Sequence, residues 1–183
     1  MLRVGTSIAV AFAACAAHAA GTLLPDGASF NVGSGDQTQI YGLAAHWNSL
    51  CACEAAASAG FTVRMEAQID YWKGTQTPSD HRSDWYASVT PSLRWTAAAT
   101  ALGAVFAEIG IGGGFLSDTH VNVDRHFATS FQFNEQGSLG FAFGPHRRYE
   151  FAAFARHVSN GDIKKADNDG ITYFGGSLRA YFE

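Results

Sequence analysis

The chain has 183 residues, with 12 Lys and Arg against 16 Asp and Glu, a formal net charge of −4 and 15% charged residues. A soluble globule averages about 25% charged residues, so this chain is poor in charge, and the slight acidity excludes a nucleic-acid surface. The length suits one domain, and beyond the N-terminus no apolar run reaches the ~20 residues that a transmembrane helix requires.

Residues 1–19 read as a secretory signal peptide. Arg3 is the positive n-region, Ser7 to Ala17 the apolar h-region, and Ala17-His18-Ala19 the small-residue cleavage site. Residues 20–183 are then the mature domain, and Cys15 leaves with the leader because Phe-Ala-Ala before it is a poor lipoprotein signal. Cys51 and Cys53 remain; a bridge across one residue is strained in an extended segment, and they read as turn residues.

Period-two alternation dominates the mature chain. Gly27 to Gly33 is a short first strand, and Gln39 to Trp47 places Tyr41, Leu43, Ala45 and Trp47 on one face. Phe61 to Tyr71 alternates an apolar row (Phe61, Val63, Met65, Ala67, Ile69, Tyr71) with Thr62, Arg64, Glu66, Gln68 and Asp70. Asp84 to Trp95 repeats the pattern, with Trp85, Val89, Leu93 and Trp95 against Tyr86, Ser88, Thr90 and Arg94. Val105 to Phe115, Phe131 to Phe143, Tyr149 to His157 and Thr172 to Phe182 complete eight strands, the later ones close to the 9–11 residues that cross a bilayer at a tilt.

The polar rows decide the architecture. A dry sandwich core holding Arg64, Glu66, Asp70 and Arg94 would cost several kcal/mol for each ion. A small outer-membrane barrel turns its apolar row to lipid and lets charges of both signs pair inside. Tyr71, Trp85 and Trp95 near the ends of the apolar rows match the interfacial aromatics of such a barrel. The reading is therefore all-β, an eight-stranded antiparallel outer-membrane β-barrel. With both chain ends in the periplasm, the connections 74–83, 117–129 and 160–170 are extracellular and long, and the turn at 144–147 is periplasmic and short. The long connection 48–60 and the short one after the first strand depart from that asymmetry.

Two motifs fail on inspection. No helix follows the glycines at 110–114, so they do not form a phosphate loop. Asp167-Asn168-Asp169-Gly170 lacks a calcium loop's first ligand, where Lys165 stands, and its bidentate Glu, where Gly176 stands. No cofactor or metal is expected.

His157 and Ser159 are two apart, so they share a strand face. Both extend the lipid-facing row of Tyr149, Phe151, Ala153 and Ala155. An imidazole beside a hydroxyl is the minimum needed to activate a serine nucleophile, and an ionisable group on a membrane-facing row points to function.

Phe106-Ala107-Glu108-Ile109-Gly110-Ile111-Gly112, Phe131-Gln132-Phe133, His157-Val158-Ser159-Asn160-Gly161 and Asn168-Asp169-Gly170-Ile171, in this order, resemble the PagL family of lipid A 3-O-deacylases. The resemblance implies an eight-stranded outer-membrane barrel that hydrolyses the ester-linked acyl chain at the 3-position of lipid A. It implies a serine-hydrolase site ordered His, Ser, acid. Carried over, His157 is the general base, Ser159 the nucleophile and Asn168 the oxyanion donor. The family's acid, a Glu after Gly-Ile, is replaced here by Thr172, whose hydroxyl can orient an imidazole but cannot stabilise an imidazolium as a carboxylate does. Asp169 and Asp167 are the alternative acids from the loop. Lys164, Lys165, His81, Arg82 and Arg125 are loop cations of the kind that contact lipid A phosphates.

The implied partners are lipid A and the outer membrane; whether the chain forms a homodimer stays open. Two other functions compete. One is a non-catalytic barrel of the same fold with a structural or adhesion role, which the missing acid favours. The other is a lipocalin-type periplasmic binding barrel, against which the charged inner rows argue.

Overall fold

The computed structural model describes residues 24–48, 58–75, 83–122, 124–163 and 170–182. Its strands are β1 (Gly27–Gly35), β2 (Thr38–Trp47), β3 (Phe61–Gly74), β4 (Ser83–Thr96), β5 (Ala104–Leu116), β6 (His120–Asn122), β7 (Arg125–His126), β8 (Phe131–Phe143), β9 (Tyr149–Ser159) and β10 (Ile171–Tyr181). The eight long strands pair antiparallel in chain order and β1 closes on β10, giving a closed barrel; β6 and β7 form a separate hairpin. The expected eight strands are all present, and β9 runs two residues further than expected, so Ser159 lies within it. The signal peptide, Cys51, Cys53, Lys164, Lys165, Asp167, Asn168, Asp169, His81 and Arg82 lie outside the described residues.

Alternation sets the faces. Leu43, Val89, Ile109, Leu139 and Phe174 are exposed on the outer wall, while Arg64, Glu66, Asp70, Arg94 and Glu108 are buried inside. This inverts a water-soluble protein and matches a barrel in lipid. Tyr71 and Trp85 are paired in register, with ring centres 5.3 Å apart, towards one end of the outer wall. Phe61 and Trp95 pair at the other.

Inside, four arginines (Arg64, Arg94, Arg156, Arg179) meet four carboxylates (Glu66, Asp70, Glu108, Glu150). Arg94 grips Glu150 with both terminal nitrogens, at 2.5 and 2.7 Å, the strong two-pronged geometry of guanidinium and carboxylate. Glu108 takes Arg64, Arg94 and Arg179. The Arg94 guanidinium lies 3.8 Å above the Phe106 ring. Gly140 makes room for that ring, since a Cβ there would overlap Phe106 Cζ.

Towards the far mouth the inner rows become mixed, with Thr38, Asp84, Gln132 and Asn160 buried beside large apolar side chains. Trp72, Tyr86, Tyr173, Ile40, Val158 and Ile171 point inward there and join Val121 and Phe127 in an apolar cluster. The β6–β7 segment supplies Val121, so a connection that the sequence reads only as a loop plugs the barrel. Pure alternation places a residue on a face; it does not say that large apolar side chains join the inner face at one end and cluster there.

The first and last barrel strands meet at the opposite end, where Gly27 pairs with Tyr181 and Phe182 N–H donates to Asp26 O at 2.7 Å. At the mouth near the plug, β1 and β2 are joined by Asp36 and Gln37, both with positive φ (42° and 58°), which fits the right-handed twist of a two-residue hairpin.

Candidate active site on the outer wall

His157 and Ser159 lie near the mouth end of β9 and face outward, between the buried Arg156, Val158 and Asn160. The buried neighbours hold the strand from within. Arg156 donates to Glu66 Oε1 at 2.9 Å and to the Tyr173 hydroxyl at 3.3 Å, and lies 3.6 Å from Asp70. Val158 is fully buried in the plug. The backbone beneath the two outward side chains is therefore fixed by an ion cluster and an apolar cluster at once.

Across the sheet, the register pairs His157 with Thr172 on β10 and with Glu135 on β8. His157 Nδ1 lies 2.8 Å from Thr172 Oγ1. Thr172 is held in turn, because its backbone N–H donates to Asp36 Oδ2 at 2.8 Å. Asp36 Oδ1 accepts from Arg125 at 3.3 Å and Asp36 O accepts from Asn122 at 3.0 Å. The β1–β2 turn and the β6–β7 hairpin thus anchor the residue that touches the imidazole. Arg125, expected as a loop cation for phosphate, is engaged by Asp36.

The other side of the ring faces Gly170. A Cβ at Gly170 would stand 2.8 Å from His157 Cε1, 3.2 Å from Nε2 and 3.4 Å from Ser159 Cβ. Nε2 and Ser159 therefore border the same small space, which glycine keeps open. No hydrogen bond joins Ser159 Oγ to the imidazole among the described residues; unliganded catalytic contacts are often long and tighten with substrate.

The wall beside Ser159 is apolar and low. Register runs from Ser159 to Phe133, Gly113, Val89, Ala67 and Ala45, and the last four line a shallow trough on the outer surface. Phe131 and Phe133 meet edge to face at 5.2 Å at its near end. Among the described residues no group of three His, Cys, Asp or Glu side chains could hold a metal ion.

Sequence reasoning brought His157, Ser159 and Thr172 together, and the structure places all three on one outward patch. It missed Asp36, which is 136 residues from Thr172 in the chain, and no local pattern could have shown that contact. It also missed Glu135, whose place on the apolar row of β8 was open to the same alternation argument.

The model of the PagL lipid A 3-O-deacylase family matches residues 39–180. The chain belongs to this family. The fold agrees with the crystal structure of the outer membrane enzyme PagL, at a TM-score of 0.72 and 23% identity, covering 85% of this chain and 99% of that one. Neisserial surface protein A is more distant, at a TM-score of 0.48 and 12% identity over 85% of this chain and 94% of that one. The Yersinia pestis outer membrane protein Ail follows at 0.41 and 12% over 84% and 99%. A comparison with curated proteins gives no match. By family and fold the chain is an outer-membrane barrel of a lipid A deacylase family.

Proposed function

We propose that this protein is an esterase that removes the ester-linked acyl chain at the 3-position of lipid A, with Ser159 as nucleophile and His157 as general base. The observation that carries the reading is the outward patch itself: an imidazole anchored at Nδ1 by Thr172 turns its other nitrogen to the space it shares with Ser159. With Nδ1–H donating to Thr172 Oγ1, Nε2 keeps its lone pair for the serine proton.

Ser159 Oγ attacks the ester carbonyl carbon while Nε2 takes the hydroxyl proton. Collapse of the tetrahedral intermediate breaks the bond to the 3-oxygen of the sugar, and the imidazolium returns the proton to that oxygen. Water then attacks the acyl-serine with His157 again as base, which frees the fatty acid and restores the serine. Asn168 is assigned the oxyanion by its match to the family motif. A site on the lipid-facing wall suits this substrate, because the acyl chain remains in the membrane while its ester meets the serine.

The test is purified lipid A in detergent micelles. The protein releases a 3-hydroxy fatty acid, and Ser159→Ala and His157→Ala each lower the rate by at least ~100-fold with the barrel's heat-modifiable gel migration intact. Undiminished release by the Ser159→Ala protein ends the reading.

A further inference from the structure

The outward rows of the eight barrel strands carry a single carboxylate, Glu135, and one other full charge, Lys73 at the tip of β3. Glu135 is exposed on the wall that faces lipid, where an ionised side chain is expensive and needs a reason to be there. Its cross-strand neighbour on one side is Ile111 and on the other His157. Along its own strand, the outward neighbours are Phe133 and Gly137. No ion pair to Glu135 is present among the described residues.

Resting on the esterase reading above, we infer that Glu135 is the positioning carboxylate of the site, supplying from β8 the negative charge that Thr172 cannot supply from β10. Serine activation makes His157 an imidazolium in the transition state, and a nearby fixed anion stabilises it. Thr172 holds Nδ1 and fixes the tautomer but stays neutral. Asp36 is also close, through the Thr172 backbone, yet its charge is balanced by Arg125. Glu135 has no such counter-ion among the described residues, and directly opposed residues on paired strands have Cβ atoms about 4.5–5.5 Å apart. Orientation and charge, combined in one Glu in the family motif, are here divided between two strands that flank the histidine.

Two unit charges about 5 Å apart at an effective dielectric constant of about 20 attract strongly enough for roughly 300-fold in rate. Relaxation of the long side chain brings the expected loss to about 10- to 100-fold. The test measures kcat and KM on lipid A in detergent, together with the rate at which a long-chain alkyl fluorophosphonate modifies Ser159. Glu135→Gln lowers kcat and the modification rate by similar factors, with KM within about twofold. Glu135→Asp keeps more of both than Glu135→Gln. Adding Thr172→Glu to Glu135→Gln restores most of the loss, because it returns the carboxylate to the family's strand.

A loss confined to KM and not restored by Thr172→Glu assigns Glu135 to substrate contact and overturns the inference, as does unchanged kcat in Glu135→Gln. Fluorophosphonate modification that depends on Glu135 in a protein inert to lipid A sinks the substrate reading alone. A wild-type protein that neither deacylates lipid A nor reacts with the reagent removes both.

Discussion

Gly170→Ala tests the shape of the site with one methyl group. Gly170 has φ +59° and immediately precedes β10. An L-residue in this left-handed conformation costs about 1–2 kcal/mol, and the position lies outside the barrel ladder, so the barrel should close as before. The new Cβ would stand 2.8 Å from His157 Cε1 and 3.2 Å from Nε2. Carbon atoms rest at about 3.5–4.0 Å, so the ring must retreat by roughly 0.7 Å or more. Its retreat is opposed by the 2.8 Å contact of Nδ1 with Thr172. Displacements near 1 Å at a reacting group cost about 100-fold, so kcat on lipid A micelles should fall by about 30- to 100-fold, with heat-modifiable migration unchanged. Gly137→Ala on the same wall is the control: its Cβ would meet only Glu108 O, at 3.9 Å, and activity should stay within about twofold. A Gly170→Ala protein within threefold of wild type would refute the placement of the imidazole.

Other perturbations separate the layers of the structure. Leu139→Arg puts a charge on the lipid face and should destabilise insertion into vesicles by about 2–4 kcal/mol near the midplane, whereas Ser88→Ala on the inner face should be close to neutral in the same urea titration. Glu108→Ala strips Arg64, Arg94 and Arg179 of a shared partner and should cost about 3–5 kcal/mol of barrel stability, with activity per folded molecule little changed. Thr172→Ala removes one orienting hydrogen bond, of about 0.5–1.5 kcal/mol, so kcat should fall by about 3- to 10-fold, far less than for His157→Ala.

The barrel was legible because period-two rows encode both the strand and the side each residue takes. Arg64, Glu66, Asp70 and Arg94 marked the inner face, and the structure buries all four. The same rule put Ser159 and His157 on one outward row and Thr172 on the outward face of its own strand; that Thr172 would stand beside the imidazole came from its place in the family motif. The rule fails where structure is not periodic. The β6–β7 hairpin is built from strands of three and two residues, and the plug that includes Val121 and Phe127 arises from contacts far apart in sequence. Asp36 reaches Thr172 only because β1 closes on β10, which no local stretch can announce. Glu135 stands differently: the alternation of β8 already put it outward, but a row read for its apolar members passes over the one charged exception.

The central claim is that this chain deacylates lipid A through Ser159. Mass spectrometry of lipid A from a Gram-negative host tests it most directly, comparing cells that make the wild-type protein with cells that make the Ser159→Ala protein at equal levels in the outer membrane. Wild-type expression should produce a lipid A species lighter by one 3-hydroxy acyl chain, lost from the 3-position, and the Ser159→Ala cells should show only the parent species. The same lighter species in both, or in neither when both barrels are folded, would contradict the account.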